Sequence, residues 1–243
     1  MITKETALID LISQNRLLES VVERFNFKVK NYNLSIDQVC RDNGENPDFV
    51  VEILKAFDEN SEFPSAELKK FSLESILSYL RKTHQYYLYK KLPEIEQSIR
   101  GLIKDYSSTH PKLVLLGSLF LEYKKELSEH IEEEESDLFP FIEYLIKLKQ
   151  HGFIFSNVYQ QLHKYSIKGF LHNHQDKEEG LEGIKDLIMS CSETRDTILP
   201  YRIFLLQLDI FAKDLERHAR VEDEILVPKA LALEKELKTI MSN

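Results

Sequence analysis

The chain has 243 residues, of which 42% are hydrophobic and 30% are charged, and this is the composition of an ordinary globular protein. Its formal net charge of −9 argues against a nucleic acid or an anionic membrane surface as a partner, because phosphate groups attract basic faces. The two cysteines, Cys40 and Cys191, stand far apart in sequence, which excludes a disulfide framework and a thiolate-rich metal site. No apolar run is long enough for a membrane span and no basic-then-apolar leader opens the chain, so we expect a cytoplasmic protein.

Short helices are the first predicted elements. Apolar residues recur at helical spacing over residues 7–22 and again over residues 50–57, with a turn-forming stretch at residues 42–47 between them. A polar linker at residues 58–64 follows. We therefore expect a small helical N-terminal domain over residues 1–62 and a second domain over residues 66–243.

Four long helices are predicted in the second domain, because apolar residues recur there at steps of three and four. They cover residues 72–107, 112–149, 157–191 and 197–240. Ser72 is the N-cap candidate of the first helix, and Pro93 is expected to kink it. The chain is therefore expected to be all-α, and four amphipathic helices with short loops favour an antiparallel up-down four-helix bundle.

Polar residues interrupt two of the apolar stripes at positions where leucine is expected. The second helix has His130 and Glu134 on its stripe, and the fourth has His218 and Glu222. The spacing i, i+4 places each His and Glu on one helix face, one turn apart. Both pairs are therefore predicted to point into the bundle interior, where an uncompensated charge is costly.

The two pairs also belong to a repeated pattern in the sequence. His130-x3-Glu134-x5-Pro140 and His218-x3-Glu222-x5-Pro228 have the same spacing, in the local sequences HIEEEESDLFP and HARVEDEILVP. Two such copies on apolar stripes favour metal binding, while buried His–Glu hydrogen bonds without a metal are the alternative. The neighbouring glutamates of the second helix are assigned to a solvated face: Glu132, Glu133 and Glu135.

Single histidines on the other two stripes complete a ligand set. His84 lies on the first helix and His174 on the third, and either one alone would more often be a satisfied core histidine. Together with the two pairs they supply four imidazoles and two carboxylates, a set that suits iron. Two shared carboxylates and an oxo or hydroxo bridge could hold two Fe ions and leave positions open for O2, NO or peroxide.

These residues resemble the hemerythrin-like, or HHE cation-binding, domain, and more closely the repair-of-iron-centres family of di-iron proteins. The segment His174–Lys185 is similar to that family's H-D-E-A-G-E-L-L-E-x-I-K, and Leu92-Pro93-Glu94 matches its L-P-E. The resemblance implies that the two glutamates bridge the irons and that all six residues are metal ligands: His84, His130, Glu134, His174, His218 and Glu222.

The same resemblance implies a role in repairing iron–sulfur clusters damaged by nitric oxide or oxidants, with damaged iron–sulfur proteins as partners. A non-catalytic O2- or NO-binding or sensing module is the alternative, and a purely structural helical protein is the third. The family's Cys-Cys-Gly-Gly element has no paired thiols here at Val29–Leu34, and Cys40 alone matches a later position. His110 could be an alternative ligand or a group just outside the ligands, and Glu126 could be an acceptor there. The alternatives are a loop residue for His110 and a solvated glutamate for Glu126. The oligomeric state, including a homodimer, is left open.

Overall fold

The regular elements in the described part of the protein are helical. The computed structural model describes residues 2–29, 31–151, 166–174 and 199–242, and the rest of the predicted third helix lies outside these ranges. Within them, strand pairing is limited to an isolated bridge between Ala7 and Ser35. The predicted all-α fold is confirmed. Each helix in the described ranges is also too short or too polar to span a bilayer.

Five short helices form the N-terminal region, defined here as residues 2–72. They are α1 (Leu8–Gln14), α2 (Arg16–Arg24), α3 (Ile36–Asn43), α4 (Pro47–Phe57) and α5 (Ser65–Leu68). The single helix expected over residues 7–22 is broken at Asn15, which has extended backbone angles and accepts a hydrogen bond from the Leu17 N–H at 2.9 Å. An asparagine side chain competes with the helical backbone in this way, so it ends one helix and caps the next.

Seven α-helices are described beyond residue 72, and those of the first, second and fourth predicted helices begin and end within two residues of the predicted boundaries. They are α6 (Leu73–Tyr86), α7 (Leu92–Tyr106), α8 (Lys112–Glu133), α9 (Phe139–His151), α10 (Ile167–His174), α11 (Leu199–Val221) and α12 (Val227–Ser242). Ser72 caps α6 as predicted, because its Oγ accepts a hydrogen bond from the Ser75 N–H at 3.2 Å. The described part of the third predicted helix is α10.

Three π-helical segments connect consecutive helices without a loop: α6 to α7, α8 to α9, and α11 to α12. They are π1 (Tyr87–Lys91), π2 (Glu134–Leu138) and π3 (Glu222–Leu226). Each ends at an i→i−5 backbone bond donated by the residue just before a proline, as in the bond from the Phe139 N–H to the Glu134 carbonyl. A proline ring clashes with the carbonyl four residues earlier in an α-helix, and here that carbonyl lies inside the wider π turn. The kink expected at Pro93 thus coincides with π1.

The chain divides into two compact units. One comprises Met1–Thr83 with Lys213–Lys229, and the other comprises His84–Ala212 with Ala230–Asn243. Phe57 and Tyr79 are among the fully buried side chains of the first unit, and Tyr87, Phe120 and Phe139 among those of the second. The first unit thus contains more than the expected N-terminal domain, and the division expected between residues 62 and 66 stays a prediction.

Candidate metal centre

His84 is held in one orientation within the second unit. It lies near the end of α6 with only 1% of its surface exposed. Its Nδ1 is 2.8 Å from Glu135 Oε1, and its ring stacks on Phe139 with centroids 5.3 Å apart. A proton on Nδ1 that is donated to the carboxylate leaves the Nε2 lone pair available, and this is how carboxylates orient histidines that bind metals.

The Glu134 carboxylate lies between two imidazoles from different helices. Its Oε2 is 3.4 Å from His84 Nε2, and its Oε1 is 3.6 Å from His130 Nε2. Glu134 is buried and begins π2, while His130 lies one turn earlier on α8 and is partly exposed. Each carboxylate oxygen therefore faces one imidazole, and this is the arrangement of a carboxylate that can bridge two ions.

His218 and Glu222 form the corresponding pair in the first unit. His218 Nε2 is 3.3 Å from Glu222 Oε1, and both side chains are buried. Glu222 begins π3 just as Glu134 begins π2. The repeated pattern in the sequence therefore gives the same local geometry twice: a histidine in the last turn of an α-helix and a glutamate that opens a π segment.

The spacing of these donor atoms fits a metal ion. Imidazole nitrogens and carboxylate oxygens bind first-row metals at about 2.1 Å, so two donors on one ion at right-angled to tetrahedral angles lie about 3.0–3.4 Å apart. The N···O distances of 3.4, 3.6 and 3.3 Å are close to this spacing. They exceed the usual 2.9–3.0 Å of an N–H···O hydrogen bond. The residues present therefore fit a bound cation better than a set of direct hydrogen bonds.

Three further residues considered in the sequence are His174, His110 and Glu126. The His174 backbone ends α10, and its side chain lies outside the described residues. His110 is half-buried and hydrogen-bonds Thr109 Oγ1 at 2.9 Å, whereas Glu126 is exposed, as expected for a solvated glutamate. Five of the six predicted ligands belong to groups of His and Glu that could hold a metal ion: His84, His130, Glu134, His218 and Glu222.

Glu135 is the site residue that the sequence did not reveal. The helical pattern assigns it to a solvated face, yet its side chain is only 33% exposed and it contacts the His84 ring. Glu135 is the second residue of π2, where a turn contains more residues than an α turn, so its direction departs from that of a constant α-helical period. The signal in the sequence is Pro140, since each described π segment precedes a proline in the same way.

Glu135→Ala is expected to lower the affinity of the site for a divalent metal ion by about 10- to 100-fold, the usual effect of removing a carboxylate that orients a metal-binding histidine. Competition with a chromogenic chelator would measure this. Glu132→Ala is the matched control, because Glu132 is exposed on the same helix. Equal affinities for the two variants would contradict the orienting role.

Cys40 lacks the properties of a reactive thiol. Its side chain is fully buried in α3, and burial, followed by the nearby Glu45 carboxylate, raises the pKa of the Cys40 thiol to about 12. The thiolate is the form that attacks electrophiles and binds metals. Cys40 therefore cannot replace the paired thiols that are missing from the N-terminal region.

We expect native Cys40 to resist alkylation by iodoacetamide at pH 8, because a thiol with a pKa of about 12 is ionised there only to about one part in 10⁴. Peptide mass spectrometry would show unmodified Cys40 in the native chain and complete modification in guanidinium chloride. Native modification at the rate of a free cysteine would contradict this expectation.

Long helices with buried His and Glu side chains one turn apart define a helical metal-binding protein. The family model for the Hemerythrin HHE cation binding domain matches residues 88–230, which is more than half of the chain. The chain belongs to this family. The matched range contains the predicted ligands from His130 to Glu222 and begins four residues after His84.

Curated relatives share a single description. The iron-sulfur cluster repair protein ScdA of Staphylococcus epidermidis is 22% identical over 172 residues, which are 70% of this chain and 73% of the relative. ScdA of Staphylococcus haemolyticus is 19% identical over 237 residues, covering 94% of this chain and 99% of the relative. The iron-sulfur cluster repair protein YtfE of Musicola paradisiaca is 26% identical over 145 residues, 58% of each chain.

Proposed function

We propose that this chain is a non-haem di-iron protein that takes part in the repair of iron–sulfur clusters damaged by nitrosative or oxidative stress. We expect the four long helices predicted in residues 66–243 to form the bundle that holds the irons. Two Fe ions are bound by the six residues His84, His130, Glu134, His174, His218 and Glu222. The observation that carries this proposal is the Glu134 carboxylate, with one oxygen facing His84 and the other facing His130.

Residues next to the proposed ligands orient one of them, and others near the ligands are buried. Glu135 and Phe139 fix the plane of the His84 ring. Apolar and aromatic side chains one helical turn from the predicted ligands are buried: Leu80, Tyr87, Leu127, Leu138, Leu215 and Ile225. Iron at this site would supply redox chemistry and open coordination positions for O2, NO or peroxide.

The relatives support the repair role. Each is described as an iron-sulfur cluster repair protein, and the alignment to one of them covers almost the whole of this chain. Damaged iron–sulfur proteins are accordingly the partners that we propose, with the cytoplasm as the compartment.

Iron content and repair should be measured on the same preparation. The chain is expressed anaerobically and reconstituted with ferrous iron, and elemental analysis is expected to find about two irons per chain. The loaded protein is then added to an NO-treated [4Fe–4S] dehydratase, with the metal-free chain as the control. Recovery of dehydratase activity with the loaded chain alone supports repair, and a folded chain that takes up no iron defeats the proposal.

Reversible O2 or NO binding without repair is the second candidate function. The burial and raised pKa of Cys40 favour it, because the described N-terminal residues then offer no reactive thiol for handing over iron or NO. Reduced, iron-loaded protein that binds O2 reversibly and leaves the damaged dehydratase inactive would select this function over repair.

A further inference from the structure

A buried ion pair joins the N-terminal region to the helix that carries His218. The Arg24 guanidinium at the end of α2 pairs with the Asp214 carboxylate of α11, and the two side chains are 0% and 1% exposed. The Arg24 Nη1 also donates a hydrogen bond to the Tyr79 hydroxyl at 3.0 Å, and the guanidinium lies 4.9 Å from the centre of the Phe57 ring. Arg24 is thus held from several sides.

Asp214 stands one helical turn before His218, on the same helix. Further contacts attach the segment Lys213–Lys229 to the N-terminal region within the first unit. They are the Lys213–Glu59 ion pair at 3.0 Å, the Arg220 guanidinium 4.1 Å from the Phe63 ring centre, and the Lys229 Nζ bond to the Lys69 carbonyl at 2.7 Å. The α5 helix also packs against π3. The segment with both His218 and Glu222 is therefore bound to the N-terminal region at each end.

The ion pair is poorly explained by stability alone. A buried pair loses the hydration of both charges, and replacing it with apolar residues of similar volume is often neutral or stabilising. The pair does fix the orientation of the side chains in it, because a planar guanidinium holds its hydrogen-bond partners in defined positions. The Asp214 carboxylate, one turn before the predicted ligand His218, accepts such a hydrogen bond and is therefore held in place by Arg24.

We propose that Arg24 is a positioning residue for His218 and Glu222, acting through Asp214, so that the N-terminal region governs how firmly the chain retains iron. This rests on the proposed di-iron function. The N-terminal region then affects iron retention without a cysteine pair.

The test is the rate at which the iron-loaded full chain loses iron to a chelator. The main variant is Arg24→Met with Asp214→Leu, which removes both charges together and leaves no single charge buried. Lys4→Met with Asp48→Leu is the matched control, since that ion pair lies wholly inside the N-terminal region. Circular dichroism and thermal unfolding of the metal-free proteins establish that the variants fold.

We expect the Arg24/Asp214 variant to fold and to lose iron about 10-fold faster than the parent chain, with a shifted absorption band of the oxidised centre. The control should retain iron like the parent, and Arg24→Lys should lie between. Iron loss at the parental rate with an unchanged spectrum would overturn the inference. A parent chain that binds no iron would instead overturn the proposed function.

A second variant decides the matter if the Arg24/Asp214 variant does not fold. Tyr79→Phe keeps the ring and removes only the hydroxyl that accepts the Arg24 hydrogen bond. We expect it to fold and to lose iron about threefold faster, as the loss of one hydrogen bond allows. An unchanged rate in Tyr79→Phe would overturn the inference.

Discussion

Replacing Glu134 with Gln is expected to reduce the iron content of the reconstituted chain from about two ions to about one or fewer. The Glu134 oxygens lie 3.4 and 3.6 Å from the Nε2 atoms of His84 and His130, so the side chain can offer one oxygen to each of two ions. A glutamine has one carbonyl oxygen and an amide nitrogen that donates hydrogen bonds, so it cannot bridge. The two residues have nearly the same shape, so the fold should be retained.

Elemental analysis and the absorption spectrum after oxidation would measure this effect. Glu132→Gln is the matched control, because Glu132 is exposed two residues earlier and should bind iron as the parent does. Thermal unfolding of both metal-free variants should agree within a few degrees. Full iron loading of Glu134→Gln would contradict a bridging carboxylate at this position.

Replacing His218 with Leu is expected to abolish full iron loading while the metal-free chain stays as stable as the parent or becomes more stable. His218 is buried between Leu215 and Val221 of α11, which are also buried. A leucine fills the space of the imidazole, and the burial of its apolar side chain is expected to offset the lost contact with Glu222 at 3.3 Å. Urea unfolding of the metal-free proteins gives the free energy of unfolding, which we expect within about 1 kcal/mol of the parent or above it.

His110→Leu is the control for this substitution. His110 is half-buried and contacts Thr109 rather than a predicted ligand, so its replacement should leave iron loading unchanged. A His218→Leu chain that still binds the parental amount of iron would show that this histidine is no ligand. A large loss of stability in the metal-free form would show that the imidazole serves the fold.

The long helices and the two buried His–Glu pairs could be predicted from sequence because both depend on local periodicity. Leucines at steps of three and four define one helix face, and His130, Glu134, His218 and Glu222 interrupt that face at the same spacing. Burial of Glu134, His218 and Glu222 agrees with that pattern. The family match over residues 88–230 supports the same interpretation.

The π segments and Glu135 could not be predicted in the same way. A helical wheel assumes one constant period, and an extra residue in a turn shifts every later position around the axis. Glu135 lies inside π2, and its carboxylate contacts the His84 ring while its side chain stays partly exposed. The prolines at positions 93, 140 and 228 were visible, but their link to π turns depends on backbone geometry.

Long-range pairing is the second kind of information that sequence did not carry. Arg24 and Asp214 are separated by 190 residues, and neither stands in a motif. Nothing local distinguishes Arg24 from a surface arginine at the end of an amphipathic helix. Its burial follows only from the packing of the N-terminal region on the segment Lys213–Lys229.

The proposed centre has two irons that share the carboxylates of Glu134 and Glu222. Anomalous diffraction at the iron absorption edge, from crystals of the reconstituted chain, tests it most directly. We expect two iron peaks about 3.5–4 Å apart, each bonded to at least one of the imidazoles of His84, His130, His174 and His218. A single peak, or iron bound elsewhere on the chain, would contradict it.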